Sequence, residues 1–193
     1  MQTNNNNKIV LVDCGSKYIQ RLVEVLKTDN SSVVRIKIEE LESRDFDEAH
    51  GIVISGSPTL LTQVDYSHLV KKTQLCVESK LPILGICFGH QLLGLHFGAE
   101  ITLGELRKGD EEITLNESDL FKNIDRQVIL QEMHREDITV PDNFVLIGTS
   151  NNTKNEAMKH KDQPIYGTQF HPEISGDVGS VIINNFIKIS EKQ

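Results

Sequence analysis

Apolar positions along this chain fall into two textures. From residue 8 to residue 97, short unbroken apolar runs alternate with amphipathic stretches. Lys8–Asp13, Gly51–Ser55 and Pro82–Ile86 are compact apolar runs of the kind that fill buried strands, and Val33–Ile38 is a further strand. Between them, Ile19, Leu22, Val23 and Leu26, and then Tyr66, Leu69, Val70, Thr73 and Val77, recur at helical spacing. Ser16 is placed to cap the first of these helices, and His90–Leu95 opens a third. Glu39–His50 is polar and charged, a loop with a short helix whose acidic run is a solvated face. Strands alternating with helices predict an α/β fold with a mostly parallel central sheet and helices on both faces. In such sheets the site lies at the carboxyl ends of the strands. Asp13–Ser16, Ser55–Pro58 and Cys87 all fall there, so three loops converge on one edge.

After Gly98 the texture changes. Glu100–Leu103, Glu111–Leu115, Val128–Glu132 and Val145–Thr149 read as short strands joined by polar turns, with a helical turn at Asp119–Asn123. These predict a small antiparallel extension of the sheet. Ile165–Phe170 is a further strand, and Asp177–Ile189 closes the chain as a helix with Val178, Val181, Ile182, Phe186 and Ile189 on one face.

Composition narrows the class. The 193 residues are 38% hydrophobic and 25% charged, which suits one globular domain over residues 8–193. Residues 1–7 are polar and Asn-rich, a frayed tail with no apolar core of a signal peptide. A net charge of −8 argues against nucleic acid as a partner. No apolar stretch approaches the ~18 residues of a membrane span. Cys14, Cys76 and Cys87 lie far apart and match no zinc spacing, so no metal site is expected. A reducing, cytoplasmic setting follows.

The chemistry concentrates at Gly85-Ile-Cys87-Phe88-Gly89. An apolar strand runs into a cysteine between two glycines and then into a helix, the logic of a nucleophile elbow with sulfur in place of oxygen. Glycines are needed where strand and helix backbones pass close. The helix N-terminus favours thiolate over thiol. A lone cysteine in an apolar stretch is ordinarily a small buried hydrophobe; the glycine frame and a matching base elsewhere shift the balance. His171 and Glu173 stand two apart just past a strand end, so both side chains point the same way and the carboxylate can orient the imidazole. Phe88 donates the first backbone N–H of an oxyanion site and the Gly56-Ser57 turn the second. His90 and His96 read as packing residues, and His50, His68 and His160 as surface residues. His134-Arg135-Glu136-Asp137 is a polar cluster after a strand, suited to substrate contact or to turning the chain. No nucleotide-phosphate loop is present.

With these residues placed, the sequence resembles the class I (triad) glutamine amidotransferases over about residues 8–190. The resemblance is carried by Ser55-Gly-Ser-Pro58, Gly85-Ile-Cys-Phe-Gly-His-Gln91 and Gln169-Phe-His-Pro-Glu173, in that order. Within the class it is most similar to the amidotransferases of GMP synthetases, through Asp13–Tyr18, Met133–Ile138 and Glu156–His160. The resemblance implies a flavodoxin-like fold and a Cys87–His171–Glu173 triad that hydrolyses glutamine. It implies Ser57 and Phe88 N–H groups at the oxyanion, and Gly56, Gln91 and His134 at the glutamine. It further implies no cofactor in this chain, with ATP and Mg bound by a partner ATP-pyrophosphatase synthetase subunit that aminates xanthosine monophosphate. That half is absent here, and the length resembles a stand-alone subunit. Three positions depart from the family. Ser57 stands where glycine is usual, Phe88 where tyrosine or leucine is, and Ser16-Lys17 where Gly-Gln is. A positive φ at Ser57 would cost about 1 kcal/mol or more. The alternatives are a stand-alone hydrolase of γ-glutamyl compounds, an amidotransferase for another acceptor, or a non-catalytic module of the same fold.

Overall fold

A computed structural model describes residues 7–192. Its elements run β1 (Asn7–Asp13), α1 (Ile19–Leu26), β2 (Ser31–Lys37), β3 (Gly51–Ile54), α2 (Ser67–Glu78), β4 (Ile83–Ile86), α3 (Phe88–His96), β5 (Ile101–Leu115), β6 (Gln127–Ile138), β7 (Phe144–Thr149), β8 (Ala157–His160), β9 (Ile165–Thr168) and α4 (Gly176–Ser190). Nine strands form one sheet in the order β2-β1-β3-β4-β9-β8-β7-β5-β6. The first five are mutually parallel, and the pairs from β9 to β6 are antiparallel.

The parallel strands β1, β3, β4 and β9 are buried on both faces because their side chains alternate between two cores, whereas β2, at the edge of the sheet, leaves Val34, Arg35 and Lys37 exposed. Ile9 and Leu11 pack with α1 and α4, through Leu22, Leu26, Ile182 and Phe186. Val10 and Val12 pack with α2 and α3, through Leu69, Cys76, Phe88 and Leu92. The two glycines of the elbow are where those layers touch. A Cβ at Gly85 would lie 2.6 Å from the Gly89 backbone, and one at Gly89 would be driven into the Ile54 carbonyl oxygen. Only hydrogen fits between α3 and the ends of β3 and β4.

Several expectations are corrected. Asn7, read as part of the tail, is the first residue of β1; its side chain is buried and donates to the Ile187 carbonyl at 3.0 Å. The rest of the tail, residues 1–6, lies outside the described residues. The two strands expected at 100–103 and 111–115 are one strand, β5, because after a register shift between Leu103 and Arg107 the residues Arg107–Asp110 carry on the pairing with β6 in a largely solvent-exposed ribbon. His134–Asp137 does not follow a strand but lies within β6. β8 adds an antiparallel strand between β7 and β9. Ser16 does not cap α1 through its side chain, since Tyr18 holds that position; its hydroxyl accepts from the Tyr18 N–H at 3.1 Å. His160 is buried, packed edge-on to Phe144 at 5.1 Å and beside Phe97.

The outer strand β6 curls back onto the end of β9. The His171 N–H donates to the Gln131 carbonyl at 2.8 Å, and the Gln131 N–H donates to Ser175 Oγ at 2.9 Å. This brings the antiparallel half against the carboxyl ends of β3, β4 and β9.

Candidate active site

Cys87 sits between β4 and α3 with φ 51° and ψ −101°, a conformation sparsely populated by residues with a side chain. The surroundings hold it there: its N–H donates to the Thr168 carbonyl at 2.7 Å, and its carbonyl accepts from Gln91 N–H at 3.0 Å. Phe88 follows as the first residue of α3. Its ring is buried among the α2 and α3 side chains, while its N–H belongs to the first turn, where helical partners are missing. The Cys87 sulfur rests 3.7 Å from the Met133 carbonyl oxygen of β6.

His171 and Glu173 emerge just past β9, the strand beside β4. Glu173 Oε1 lies 2.8 Å from His171 Nδ1, and both side chains are almost wholly buried. Burial opposes a charge on His171, but the adjoining Cys87 and then the Glu173 carboxylate outweigh it and raise its proton affinity well above that of ordinary histidine. Tyr18 packs its ring edge-on to the imidazole at 5.3 Å. Gly56 leaves room for this ring, since a Cβ there would come within 3.1 Å of His171 Cε1.

These residues open onto a cavity of about 240 Å³. That is below the ~300–1,000 Å³ of pockets for drug-sized ligands and suits a small polar molecule. One wall is the loop from Ser57 to Leu60, the opposite wall is Met133–Glu136 of β6, and Cys87, Gln91 and His171 form its floor. Ser57 is not among the described residues with positive φ, which apart from glycine are Glu48, Lys80, Cys87 and Asn123. The strain cost anticipated for a side chain at this position therefore does not arise.

Gln91 and His134 both line the cavity, but their nitrogens are turned towards the protein. Gln91 Nε2 donates to the Glu136 carbonyl at 2.8 Å and to Gln169 Oε1 at 3.1 Å. His134 Nδ1 lies 3.2 Å from the Glu136 carbonyl, and Nε2 is at ion-pair distance, 3.4 Å, from Glu132 Oε1. Behind His134, Glu132 faces Glu156. Burial and then the Glu132 carboxyl push Glu156 up to about 9, so it keeps its proton at neutral pH. Ser150 Oγ donates to Glu156 Oε1 at 2.7 Å. His90 is fully buried in α3, and burial pushes it down to about 3, so it packs as a neutral ring.

Sequence reasoning gives no role to Glu132 or Glu156 and takes Glu136 only as one of a polar cluster. The signal is the period of β6: Val128, Leu130, Glu132, His134, Glu136 and Ile138 are all buried. The alternation of a half-buried strand continues unbroken, but charged residues occupy its inner positions. Among the described residues no cluster of His, Cys, Asp and Glu has the makings of a metal site. No helix there is long and apolar enough to cross a membrane.

The sequence matches the family model "Glutamine amidotransferase class-I" over residues 10–189. The glutamine-hydrolysing GMP synthase subunit of Methanocaldococcus jannaschii is 37% identical over 197 aligned residues, covering 94% of this chain and 96% of the relative. Its counterpart from Pyrococcus furiosus is 33% identical over 189, covering 94% and 97%. Among solved structures, a Thermoplasma acidophilum chain assigned as a GMP synthase subunit superposes with a TM-score of 0.88 at 28% identity, covering 96% of this chain and 94% of its own. A glutamine amidotransferase from Thermotoga maritima, 18% identical with a TM-score of 0.73, shares the fold. An elbow cysteine beside a buried His–Glu pair, on this fold and with these relatives, identifies the chain as a member of the class I glutamine amidotransferases.

Proposed function

We propose that this chain is the glutamine-hydrolysing subunit of a two-subunit GMP synthase, with Cys87, His171 and Glu173 as its triad. The observation that carries the chemistry is the juxtaposition of Cys87 at positive φ with the buried His171–Glu173 pair on the neighbouring strand. The GMP reading is supported by relatives of that name along nearly the whole chain.

In this account His171 takes the proton from Cys87, and the sulfur attacks the side-chain amide carbon of glutamine. The negative charge that develops on the amide oxygen is met by the backbone N–H groups of Phe88 and Ser57. His171 then protonates the leaving nitrogen, the C–N bond breaks, and ammonia departs from a glutamyl thioester. Water, deprotonated by His171, attacks the thioester, and glutamate leaves as the thiol is restored. Glu173 holds the imidazole by Nδ1, which leaves Nε2 for the proton traffic. Gly56 gives the imidazole space, and Gln91 on the floor and His134 on the wall shape the cavity in which the glutamine lies. These side chains carry the reaction with no cofactor of their own. ATP and Mg²⁺ belong to an ATP-pyrophosphatase synthetase subunit that activates xanthosine monophosphate and receives the ammonia. Three free cysteines fit a cytoplasmic setting.

The test is the rate of glutamine hydrolysis alone and with that synthetase subunit, ATP-Mg and xanthosine monophosphate. A rate that climbs together with formation of GMP is the expected result. Hydrolysis without GMP under every combination would overturn the acceptor while keeping the chemistry. High turnover of other γ-glutamyl compounds without any partner would instead identify a stand-alone hydrolase.

A further inference from the structure

The Ser57–Leu60 wall of the cavity is loop whose internal hydrogen bond, Thr59 N–H to Ser57 Oγ at 3.2 Å, does not tie it to the rest of the molecule, so its position relative to Cys87 is set from its ends. Its first end is tied to the sheet: Ser55 N–H donates to the Val12 carbonyl at 3.0 Å, and Ser55 Oγ accepts from Cys14 N–H at 2.9 Å. Its second end runs into a turn in which Gln63 N–H donates to the Leu60 carbonyl at 3.1 Å and Leu61 is buried in the core, and it is tied further by a side chain from the other half of the molecule. Glu136 of β6 reaches across the cavity and accepts from two successive backbone amides, Leu61 N–H to Oε2 at 2.9 Å and Thr62 N–H to Oε1 at 2.7 Å. The side chain is 1% exposed, so both of its oxygens depend on these donors. The same residue's carbonyl accepts from Gln91 Nε2 at 2.8 Å and faces His134 Nδ1 at 3.2 Å. Glu136, itself on the cavity wall, thus links the Leu61–Thr62 end of the loop to Gln91 on the floor.

We infer that Glu136 is a positioning residue for glutamine binding, a carboxylate clamp that fixes the Ser57–Leu60 wall, and with it the Ser57 N–H, against β6. The inference rests on the glutaminase reading above. A buried carboxylate with two amide donors is a stiff tie, because either donor freed in a water-poor site loses a charge-assisted bond. Gln is the telling replacement. It keeps the shape, but its NH2 group is set against one of the two amides, so the clamp loses a bond and gains a donor–donor contact. The wall then relaxes away from the substrate, whereas the Cys87–His171–Glu173 group, which Glu136 does not touch, keeps its geometry.

The experiment compares the parent chain with Glu136→Gln, using glutaminase kinetics and Cys87 labelling, in the same complex or subunit that turns over glutamine. The expected result is a KM for glutamine raised about 10-fold or more together with a lower kcat, because the loosened wall carries both the binding surface and the Ser57 N–H of the oxyanion site. Labelling of Cys87 by a glutamine-shaped electrophile such as a diazoketone should slow in proportion, while alkylation by iodoacetamide, which needs no glutamine pocket, proceeds at the parent rate. Hydrogen exchange at residues 57–63 should quicken in the variant. If Glu136→Gln folds poorly, Glu136→Asp replaces it and should show the same split to a smaller degree. Parent-like KM and labelling in a folded variant would overturn the inference, as would an equal loss in both labelling reactions, which marks a general structural role. A parent chain that does not hydrolyse glutamine would count against the glutaminase reading itself and is read separately.

Discussion

The two halves of the sheet build one cavity by opposite means. The parallel half, β2-β1-β3-β4-β9, is apolar on both faces from β1 to β9 and spends its chemistry at strand ends, where Cys87 and His171 emerge from neighbouring strands. The antiparallel half supplies a wall from the middle of a strand, with Glu132, His134 and Glu136 on the buried face of β6. In the first half a strained backbone and close-packed glycines present a nucleophile. In the second, buried carboxyls, each answered by a donor or a neighbour, hold loops and rings in place. Reactivity is therefore set by backbone geometry in one half and pocket shape by side-chain electrostatics in the other, and the two can be perturbed separately.

The largest expected separation comes from Cys87→Ala. It should lower glutamine hydrolysis by about 10³-fold or more while leaving the melting temperature close to that of the parent. Residual turnover near the parent rate would dissolve the distinction at once. Gly89→Ala should act through packing in the same half. Its Cβ meets the Ile54 backbone, which cannot yield as a side-chain tip can, and the expected destabilisation by urea titration is about 3 kcal/mol or more. A variant as stable as the parent would show that α3 and β3 are not in such close contact.

The antiparallel half is tested by pH. Burial and the facing Glu132 raise Glu156 from 4.5 to about 9. Its contribution to stability is therefore fully present below about 4.5, declines as pH rises through this window, and is gone above about 9. Glu156→Gln has no proton to lose, so its melting temperature should fall less than that of the parent between about pH 5 and pH 9. His171 carries a shift of the same sign, but it is common to both proteins and cancels in the difference. Parallel curves would mean that Glu156 does not hold a proton in the folded state. The smallest effect is expected at the junction of the halves. Ser57→Gly should leave glutaminase activity within about 2-fold, because Ser57 is under no positive-φ strain for glycine to relieve.

How much of this was legible in the sequence follows the same division. The parallel half could be read because each feature had a local signature: unbroken apolar runs for doubly buried strands, glycines where α3 crosses β3 and β4, and His and Glu two apart at a strand end. The antiparallel half resisted because its signature is distributed. β6 continues the alternation of a half-buried strand through Glu132, His134 and Glu136, and hydrophobicity cannot register a buried position filled by charge. Glu132 has His134 nearby, but the other partners lie far along the chain: Leu61 and Thr62 for Glu136, Glu156 for Glu132. The span from Gly104 to Asp110 read as turns for a related reason, since a solvated ribbon has no apolar face to betray it. Asn7 was taken for tail on its polar neighbours, yet its amide is held by the last turns of α4.

The central claim is that the Cys87 sulfur becomes acylated by the side chain of glutamine. Rapid mixing of the parent chain with glutamine, acid quench and intact-mass spectrometry test it directly. The account predicts an adduct of one glutamyl group, mapped to Cys87 by peptide analysis, that forms and decays at rates compatible with turnover and is absent from Cys87→Ala. Turnover with no adduct at any time point would leave the thioester unobserved and call for trapping with hydroxylamine. A glutamyl group on another residue, or ammonia released at the parent rate by Cys87→Ala, would contradict the account outright.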